Sequence, residues 1–357
     1  MNSPATLQTA DTVADILRRL ALLGVVPHGA TDDSRQVRPG DLFLACVGDL
    51  VDGRRFIADA IARGAEAVLW EAGDDRVNAF GWHADWQVAN LPVSNLRQLR
   101  GPLAHAVHGR PSERLSLIAV TGTNGKTSVT QWIGATHPRS CAIIGTLGAG
   151  LPGNLADTGF TTPEATTLAR CLADYANAEV QACALEASSI GIAEGRLDGV
   201  RVDAAVFTNF TRDHLDYHES MAAYGAAKAK LFTWPRLRLA VCNVDDPFGR
   251  QLADMTTASK VVAYTQEGRC SDRQGTISAE DVEETIAGLR FRLCAPGGRA
   301  LVETPLLGRY NVANLLAVAA VLLDAGLTPR AVAERFAGVQ PPPGRLEKVG
   351  GDAQPLV

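Results

Sequence analysis

Eight consecutive residues near the middle of the chain have the composition and spacing of a phosphate-binding loop. Segment 121–128 reads Thr-Gly-Thr-Asn-Gly-Lys-Thr-Ser and follows an apolar run. Main-chain N–H groups around the two glycines can surround phosphate oxygens, the lysine can reach the β- and γ-phosphates, and the threonine hydroxyl can bind Mg²⁺. The pattern therefore predicts that a nucleoside triphosphate binds to Gly122, Thr123, Asn124, Gly125, Lys126, Thr127 and Ser128.

The match to the general P-loop pattern is incomplete, because Val120 stands where that pattern has its first glycine. A glycine-rich turn with an unrelated lysine is the alternative. The context of a predicted buried strand before the loop and a helix after it favours nucleotide binding.

Polar residues also follow two other predicted strands. Segment 208–218 contains two Asp and two His after an apolar stretch, and Glu186 follows the apolar stretch 182–185. Carboxylate and imidazole groups can help to complete a Mg²⁺ shell, in which oxygen ligands normally dominate. Helix capping is the alternative for both groups, and the residue types alone leave it open.

The elements that would position these residues alternate between strands and helices. We predict helices at 12–23, 55–63, 164–175, 221–232 and 311–324, and strands at 42–47, 67–70, 182–185, 204–208, 237–243 and 260–264. This alternation is typical of a mostly parallel sheet covered by helices, whose ligands bind at the carboxyl ends of the strands. Gly288 indicates a hairpin within 276–293.

The predicted fold class is α/β, divided at turn-rich segments. Residues 1–110 form a small α/β domain, residues 111–340 form a central P-loop domain with a mostly parallel sheet, and residues 341–357 form a linker. The linker begins with Pro-Pro-Pro-Gly-Arg, a sequence typical of domain boundaries.

Composition narrows the possible functions. The 357 residues are 46% hydrophobic and 20% charged, and no apolar run approaches the ~20 residues that span a bilayer. Arg18 and Arg19 interrupt the apolar stretch near the N-terminus, so we predict no signal peptide.

The net charge of −5 argues against general nucleic-acid binding. Seven scattered cysteines suggest reduced thiols, and we expect a cytoplasmic protein.

Several segments, in order along the chain, resemble the Mur ligase family. In the N-terminal part they are 33–35, 39–43 and 52–53, and in the central part they are 122–128, 160–164, 186–189, 195–200, 213–218, 224–228 and 308–314. The resemblance covers essentially the whole chain and is therefore specific. It implies that 1–110 binds UDP and that the family's C-terminal Rossmann-like domain is essentially missing from these 357 residues.

The resemblance implies an ATP-dependent amide ligase of peptidoglycan synthesis, and hence a role in cell-wall biogenesis, cell shape and division. ATP would phosphorylate the free carboxylate of UDP-N-acetylmuramoyl-L-alanyl-D-glutamate, and the amine of a diamino acid would attack the acyl phosphate. The amine would come from meso-diaminopimelate in preference to L-lysine. Positioning and charge neutralisation would supply most of the catalysis. A monomer is expected.

The same resemblance assigns roles to individual residues. Lys126 would stabilise the γ-phosphate, Thr127 and Glu186 would hold one Mg²⁺, and His214 would serve a second. Lys228 would carry a CO₂-derived carbamate that supports the metal, with a solvated helix lysine as the alternative. Asn311 would contact adenine and Arg345 would approach ATP, whereas the nearby Asn314 could simply pack. Substrate contacts would come from Ser34, at uracil, and from Thr161, Thr162, Ser188 and Arg196, at the muramoyl-peptide.

Two departures from the family pattern bear on this assignment. Ile190 stands where the family usually has His after paired serines, and the Asp-Asn-Pro-Arg motif that selects the diamino acid does not occur in these residues. We therefore expect residues 1–357 to be inactive in ligation when alone. Alternative readings are a D-Ala-D-Ala-adding Mur ligase, a folylpolyglutamate synthase, and a non-catalytic fragment that binds a UDP-sugar and ATP.

Overall fold

The computed structural model describes residues 12–73, 80–266 and 275–346. Its helices are α1 Val13–Leu22, α2 Ile57–Ala62, α3 Leu96–Val107, α4 Lys126–Thr136, α5 Ala165–Asn177, α6 Ser189–Ala193, α7 Leu215–His218, α8 Met221–Ala229, α9 Pro247–Met255, α10 Tyr310–Asp324 and α11 Pro329–Phe336. Its strands are β1 Gly29–Thr31, β2 Asp41–Ala45, β3 Ala67–Ala72, β4 Ala89–Ser94, β5 Ser116–Thr121, β6 Cys141–Gly145, β7 Gly148–Leu151, β8 Asn154–Ala156, β9 Ala182–Glu186, β10 Ala204–Phe207, β11 Leu239–Asn243, β12 Lys260–Thr265, β13 Ile277–Thr285, β14 Gly288–Ala295 and β15 Gly298–Thr304.

The chain divides into two compact units. Unit 1 comprises residues 1–111, 164–174 and 195–200, and unit 2 comprises residues 112–163, 175–194 and 201–357. The segments 164–174 and 195–200, which lie within the predicted central domain, thus group with the N-terminal residues. The functional assignment of the predicted ranges 1–110 and 111–340 stays a prediction. For the predicted linker 341–357, residues 347–357 lie outside the described ranges.

Unit 1 contains a four-stranded parallel sheet in the order β1-β2-β3-β4. The strands β2 and β3 are short and almost entirely apolar, as expected for parallel strands covered on both faces. One face packs against α1 and α3 through residues such as Ile16, Leu20 and Leu103, and Ala169 of α5 joins the same cluster. The other face packs against α2 through Ile57 and Ala60.

Unit 2 contains an eleven-stranded sheet in the order β15-β14-β13-β12-β11-β10-β5-β9-β6-β7-β8. The run from β13 to β6 is parallel, and antiparallel strands extend it at both edges. The helix α10 is buried over most of its length and packs on this sheet, and its apolar residues join the side chains of α4 and α11 in one core. The strand β5 lies near the middle, between β10 and β9, so the loop that follows it meets polar ends of two neighbouring strands.

The predicted α/β class and the mostly parallel central sheet are confirmed. Two strands and one helix of unit 1, β1, β4 and α3, were absent from the expected elements. The helix α3 contains Gly101 and Pro102, which weaken a helical signal in sequence, and β1 has only three residues. None of the described helices is long and apolar enough to cross a membrane.

Candidate nucleotide-binding and ligation site

The phosphate-binding segment forms a strand, a tight loop and a helix. The strand β5 ends at Thr121, and α4 begins at Lys126. Gly125 caps this helix in the left-handed conformation, with φ of 83°, and its carbonyl accepts the first helical hydrogen bond from Val129 N–H at 2.9 Å. The N–H groups of the first helical turn therefore face the loop, where an anion is stabilised by the helix dipole. The predicted P-loop geometry is present.

Residues that follow β10 hold the loop in this shape. The carbonyl of Asn209 accepts from Thr123 N–H at 2.8 Å, and the Asn209 side chain bonds to both the N–H and the carbonyl of Asn124, at 3.0 and 3.1 Å. The Thr208 hydroxyl donates to the same Asn124 carbonyl at 2.6 Å. Because β10 pairs with β5 in parallel, the two loops start side by side and exchange these bonds.

Two lysines converge on one carbonyl of the loop. Lys126 Nζ donates to the main-chain oxygens of Gly122 and Thr123 at 3.0 and 2.8 Å. Lys228 Nζ donates to the same Gly122 oxygen at 2.9 Å, and it lies 4.4 Å from the ring centroid of Tyr224. Lys228 is 1% exposed, and burial lowers its pKa to about 7, with the Lys126 ammonium acting in the same direction. Burial also lowers the pKa of Lys126.

The carboxylate of Glu186 lies at the carboxyl end of β9, beside the start of α4. It accepts from the Thr127 hydroxyl at 3.1 Å, and from the N–H and hydroxyl of Thr146 at 2.9 and 3.2 Å. Glu186 is 1% exposed, and burial raises its pKa. A buried carboxylate next to a hydroxyl at a phosphate-binding loop offers two hard oxygen donors to a cation such as Mg²⁺.

His214 directly precedes α7, and its side chain is 42% exposed. It adopts the left-handed conformation, with φ of 50°, and its Nε2 is 3.5 Å from a carboxylate oxygen of Asp213. Its ring centroid is 6.0 Å from that of Tyr224, whose hydroxyl is 3.2 Å from the Thr123 hydroxyl. Over the described parts of the chain, no three His, Cys, Asp or Glu side chains gather as a metal-binding group.

The start of α10 also lies against the loop. The amide oxygen of Asn314 occupies the space that a Cβ on Gly125 would need, and the Asn314 amide nitrogen donates to the Asn311 side chain at 3.0 Å. Asn311 in turn donates to the Leu307 carbonyl at 2.7 Å and is buried. The Arg345 guanidinium is close enough to Lys126 to contribute to the lowering of the pKa of that lysine.

Three of the predicted substrate-binding residues lie near Glu186 in unit 2. The Thr162 hydroxyl donates to the Glu186 carbonyl at 2.7 Å, and it is 3.0 Å from both the Ser188 hydroxyl and the Ser188 N–H. The Thr161 hydroxyl is 3.0 Å from the Thr146 hydroxyl. Ser188 caps α6 by accepting from Gly191 N–H.

The other two predicted substrate-binding residues belong to unit 1. Ser34 is buried at the start of a short 3-10 turn that follows β1, where Asp33 accepts from the N–H and the guanidinium of Arg35. The Arg196 guanidinium is 2.9 Å from the carboxylate of Glu164. The roles of both residues stay predictions.

Sequence reasoning missed the structural roles of Thr208, Asn209 and Thr146. The first two lie in segment 208–218, where only the Asp and His residues were considered as cation ligands, and their side chains bond to the P-loop. Their position directly after a strand that neighbours β5 would have indicated this role. The sequence alone does not give the order of the strands. Another such residue is His218, whose Nε2 lies 2.9 Å from the hydroxyl of Ser189, next to Ile190.

Comparisons with known proteins match both units. A model of the Mur ligase middle domain matches residues 120–322, and a model of the Mur ligase catalytic domain matches residues 27–108. The UDP-N-acetylmuramoyl-L-alanyl-D-glutamate–2,6-diaminopimelate ligase of Chromobacterium violaceum is 44% identical over 343 residues, which cover 95% of this chain and 68% of that protein.

Solved structures show the same relationship. A UDP-N-acetylmuramoyl-L-alanyl-D-glutamate–2,6-diaminopimelate ligase matches with a TM-score of 0.75 and 32% identity, over 91% of this chain and 65% of that one. A D-alanyl-D-alanyl ligase from Acinetobacter baumannii matches with a TM-score of 0.67 and 20% identity, over 98% and 73%, which shows a shared fold alone. The chain thus spans about two thirds of the length of the proteins it resembles.

Proposed function

This chain belongs to the Mur ligase family, and we propose that it supplies the substrate-binding and nucleotide-binding parts of a ligase that adds a diamino acid to UDP-N-acetylmuramoyl-L-alanyl-D-glutamate. The diamino acid is meso-diaminopimelate in preference to L-lysine. The observation that carries the proposal is the 44% identity to a relative named for this reaction, over 95% of the chain.

The proposed reaction has two steps that share the P-loop site. An oxygen of the substrate carboxylate attacks the γ-phosphorus of ATP, a new O–P bond forms, and ADP leaves. The amine of the diamino acid then attacks the acyl carbon, the C–N bond forms, inorganic phosphate leaves, and the amine loses a proton. Lys126 binds the phosphoryl group and offsets its negative charge, and the N–H groups at the start of α4 hold the other phosphate oxygens.

Thr127 and Glu186 are the residues that would hold Mg²⁺. Their fit is supported by the 3.1 Å contact between two oxygen donors and by the burial of the carboxylate, which raises its pKa. When bound, the ion neutralises phosphate charge. His214, beside Asp213 and Tyr224, is the proposed contributor to a second Mg²⁺ site.

Lys228 is the proposed site of a carbamate. With its pKa lowered to about 7, a large share of the side chain is the neutral amine at neutral pH, and only this form attacks CO₂. The N–C bond forms, one proton leaves, and the side chain becomes an anion. The positive charge of Lys126 attracts a carbamate on Lys228 and repels an ammonium there, so it favours the carbamate.

The remaining contacts follow from the same assignment. Ser34 contacts uracil, and Thr161, Thr162, Ser188 and Arg196 contact the muramoyl-peptide, where the planar guanidinium suits a carboxylate. At the nucleotide, Asn311, which accepts a hydrogen bond from Asn314, contacts adenine, and Arg345 approaches ATP. We further propose that the protein acts in the cytoplasm as a monomer.

The test is ATP-dependent turnover of UDP-N-acetylmuramoyl-L-alanyl-D-glutamate. We would compare residues 1–357 with a chimera that joins them to the C-terminal third of the Chromobacterium violaceum relative, and offer meso-diaminopimelate, L-lysine or D-alanyl-D-alanine. The chimera is expected to form amide with meso-diaminopimelate, and residues 1–357 alone are expected to bind substrate without completing ligation, because closure that excludes water needs the added part.

Other outcomes distinguish the alternatives. Efficient ligation by residues 1–357 alone would place the amino-acid site within them. Turnover of the corresponding tripeptide substrate with D-alanyl-D-alanine would favour the sister ligase. Binding of the UDP-sugar and ATP by the chimera, without acyl phosphate trapped by hydroxylamine, would favour a non-catalytic binding protein.

A further inference from the structure

A continuous row of polar side chains runs through unit 1. The Thr166 hydroxyl donates to Asp32 at 2.6 Å, and the other oxygen of Asp32 is 3.5 Å from the Arg100 guanidinium. Arg100 also lies 3.2 Å from one oxygen of Glu164, whose second oxygen is 2.9 Å from Arg196. The row therefore joins the segment that precedes Ser34 to the predicted substrate arginine.

The main chain around Arg196 is held in place as well. Residues 195–200 lie directly on α3, where a Cβ on Gly199 would be 2.6 Å from the Cα of Pro102, and a Cβ on Gly101 would be 2.6 Å from the carbonyl oxygen of Asp198. Leu197 beside them is fully buried. With its backbone fixed, Arg196 depends on its side-chain contacts for orientation.

The charges in this row balance. Two arginines, Arg100 and Arg196, face two carboxylates, Asp32 and Glu164, and the arginine side chains are 14% and 11% exposed. A carboxylate next to an arginine that receives an anion opposes binding electrostatically, so any favourable effect of Glu164 has to come from geometry. An arginine side chain has a large rotamer entropy, and a partner that fixes the guanidinium before the ligand arrives reduces the entropy lost on binding.

We infer that Glu164 is a positioning residue, which orients the Arg196 guanidinium through one of its edges so that the substrate carboxylate meets a preformed partner. Arg100 and Asp32 hold Glu164 in turn. The inference rests on the proposed function, in which Arg196 contacts the muramoyl-peptide.

Two substitutions separate orientation from charge. Glu164→Gln keeps an oxygen that can accept from Arg196 and removes the negative charge, whereas Glu164→Ala removes both. We expect the affinity for UDP-N-acetylmuramoyl-L-alanyl-D-glutamate, measured by calorimetry, to fall about tenfold in Glu164→Ala and to stay within about threefold of the wild type in Glu164→Gln. Equal affinities in the two variants, whether high or low, would overturn the inference.

A double variant tests whether Glu164 acts through Arg196. If it does, Arg196→Ala combined with Glu164→Ala binds no more weakly than Arg196→Ala alone, and additive losses would contradict the inference. UDP itself is the second probe, and its affinity is expected to be unchanged in every variant. Glu334→Ala, which breaks an exposed pair with Arg330, is the matched control. Failure of the wild type to bind the muramoyl-dipeptide would instead refute the proposed function.

Discussion

Lys126 and Lys228 donate to the same oxygen, the main-chain carbonyl of Gly122, at 3.0 and 2.9 Å. Two full ammonium charges on one acceptor in a buried site repel each other strongly, because the low local dielectric screens them little. The repulsion is removed when Lys228 loses its proton, which agrees with the pKa of about 7 for this side chain. At neutral pH a large share of the Lys228 side chain is therefore the neutral amine.

The free energy of unfolding is expected to rise with pH above neutrality because of Lys228. Its pKa is about 7 in the folded state and 10.5 in the reference state, so the unfolded chain binds more protons between these values. Stability then increases by at most about 1.4 kcal/mol per pH unit in that window. Urea unfolding in CO₂-free buffer from pH 7 to 9.5 measures this slope. Lys228→Met should flatten it and the exposed control Lys230→Met should not. If Lys228→Met keeps the same slope as Lys230→Met, the pH dependence comes from groups other than Lys228.

The proposed carbamate on Lys228 predicts a specific pattern of loss and rescue. In the chimera described above, Lys228→Ala should reduce turnover by about 100-fold or more, since an anion that supports the metal is lost. A small carboxylate such as formate should restore part of it. Native mass spectrometry with and without CO₂ gives an independent measurement, and Lys230→Ala is the control. Full activity in Lys228→Ala would rule the carbamate out.

Lys126→Ala is expected to weaken ATP binding by about 100-fold while UDP affinity stays unchanged. The lysine is the charged group of the P-loop, and Ser34, the predicted uracil contact, belongs to the other unit. Separate calorimetric titrations with ATP and with UDP measure the two affinities, and Lys230→Ala serves as the control. Retained ATP affinity in Lys126→Ala would contradict the P-loop assignment.

Glu186→Gln should stabilise the fold and abolish the response to Mg²⁺. Burial raises the pKa of this carboxyl, so the ionised form opposes folding at neutral pH. A neutral amide does not carry this cost, and we expect the free energy of unfolding to rise by about 1 kcal/mol. The wild type should gain stability as pH falls from neutral towards 4.5, and the variant should lack that gain. Thermal unfolding with and without Mg²⁺ measures both effects, with Glu334→Gln as the exposed control. A lower melting temperature of Glu186→Gln would argue against this account.

Gly125 and Gly153 provide a matched pair for the loop geometry. Both have φ of 83°, but a Cβ on Gly125 would overlap the Asn314 side chain, whereas nothing lies within 4 Å of one on Gly153. Alanine at either position bears the left-handed strain of about 1 kcal/mol, and only Gly125→Ala adds a clash. We expect Gly125→Ala to lose the larger amount of stability and to lose ATP binding. Equal destabilisation in the two variants would show that Asn314 moves freely.

The sequence alone identified the residues whose chemistry is local. Segment 121–128 carries its own strand, glycines and helix start, so the loop conformation follows from residues that are adjacent in the chain. Glu186 was also a candidate by its position after an apolar run, since the polar residue that ends a parallel strand faces the ligand edge of the sheet. The regular alternation of apolar strands and helices likewise determined the fold class.

Only the tertiary structure decided which distant residues share a site. The hydrogen bonds from Thr208 and Asn209 to the P-loop require that β10 lies beside β5. Strand order is set by packing over the whole sheet. Lys228 donates to the carbonyl of Gly122, 106 positions away, which is also the acceptor of Lys126. The pairing of Glu164 with Arg196 depends on two segments that group with unit 1. Sequence patterns encode what neighbouring residues prefer. Contacts such as these, and the pKa values they produce, arise from burial and long-range packing, which no local pattern records.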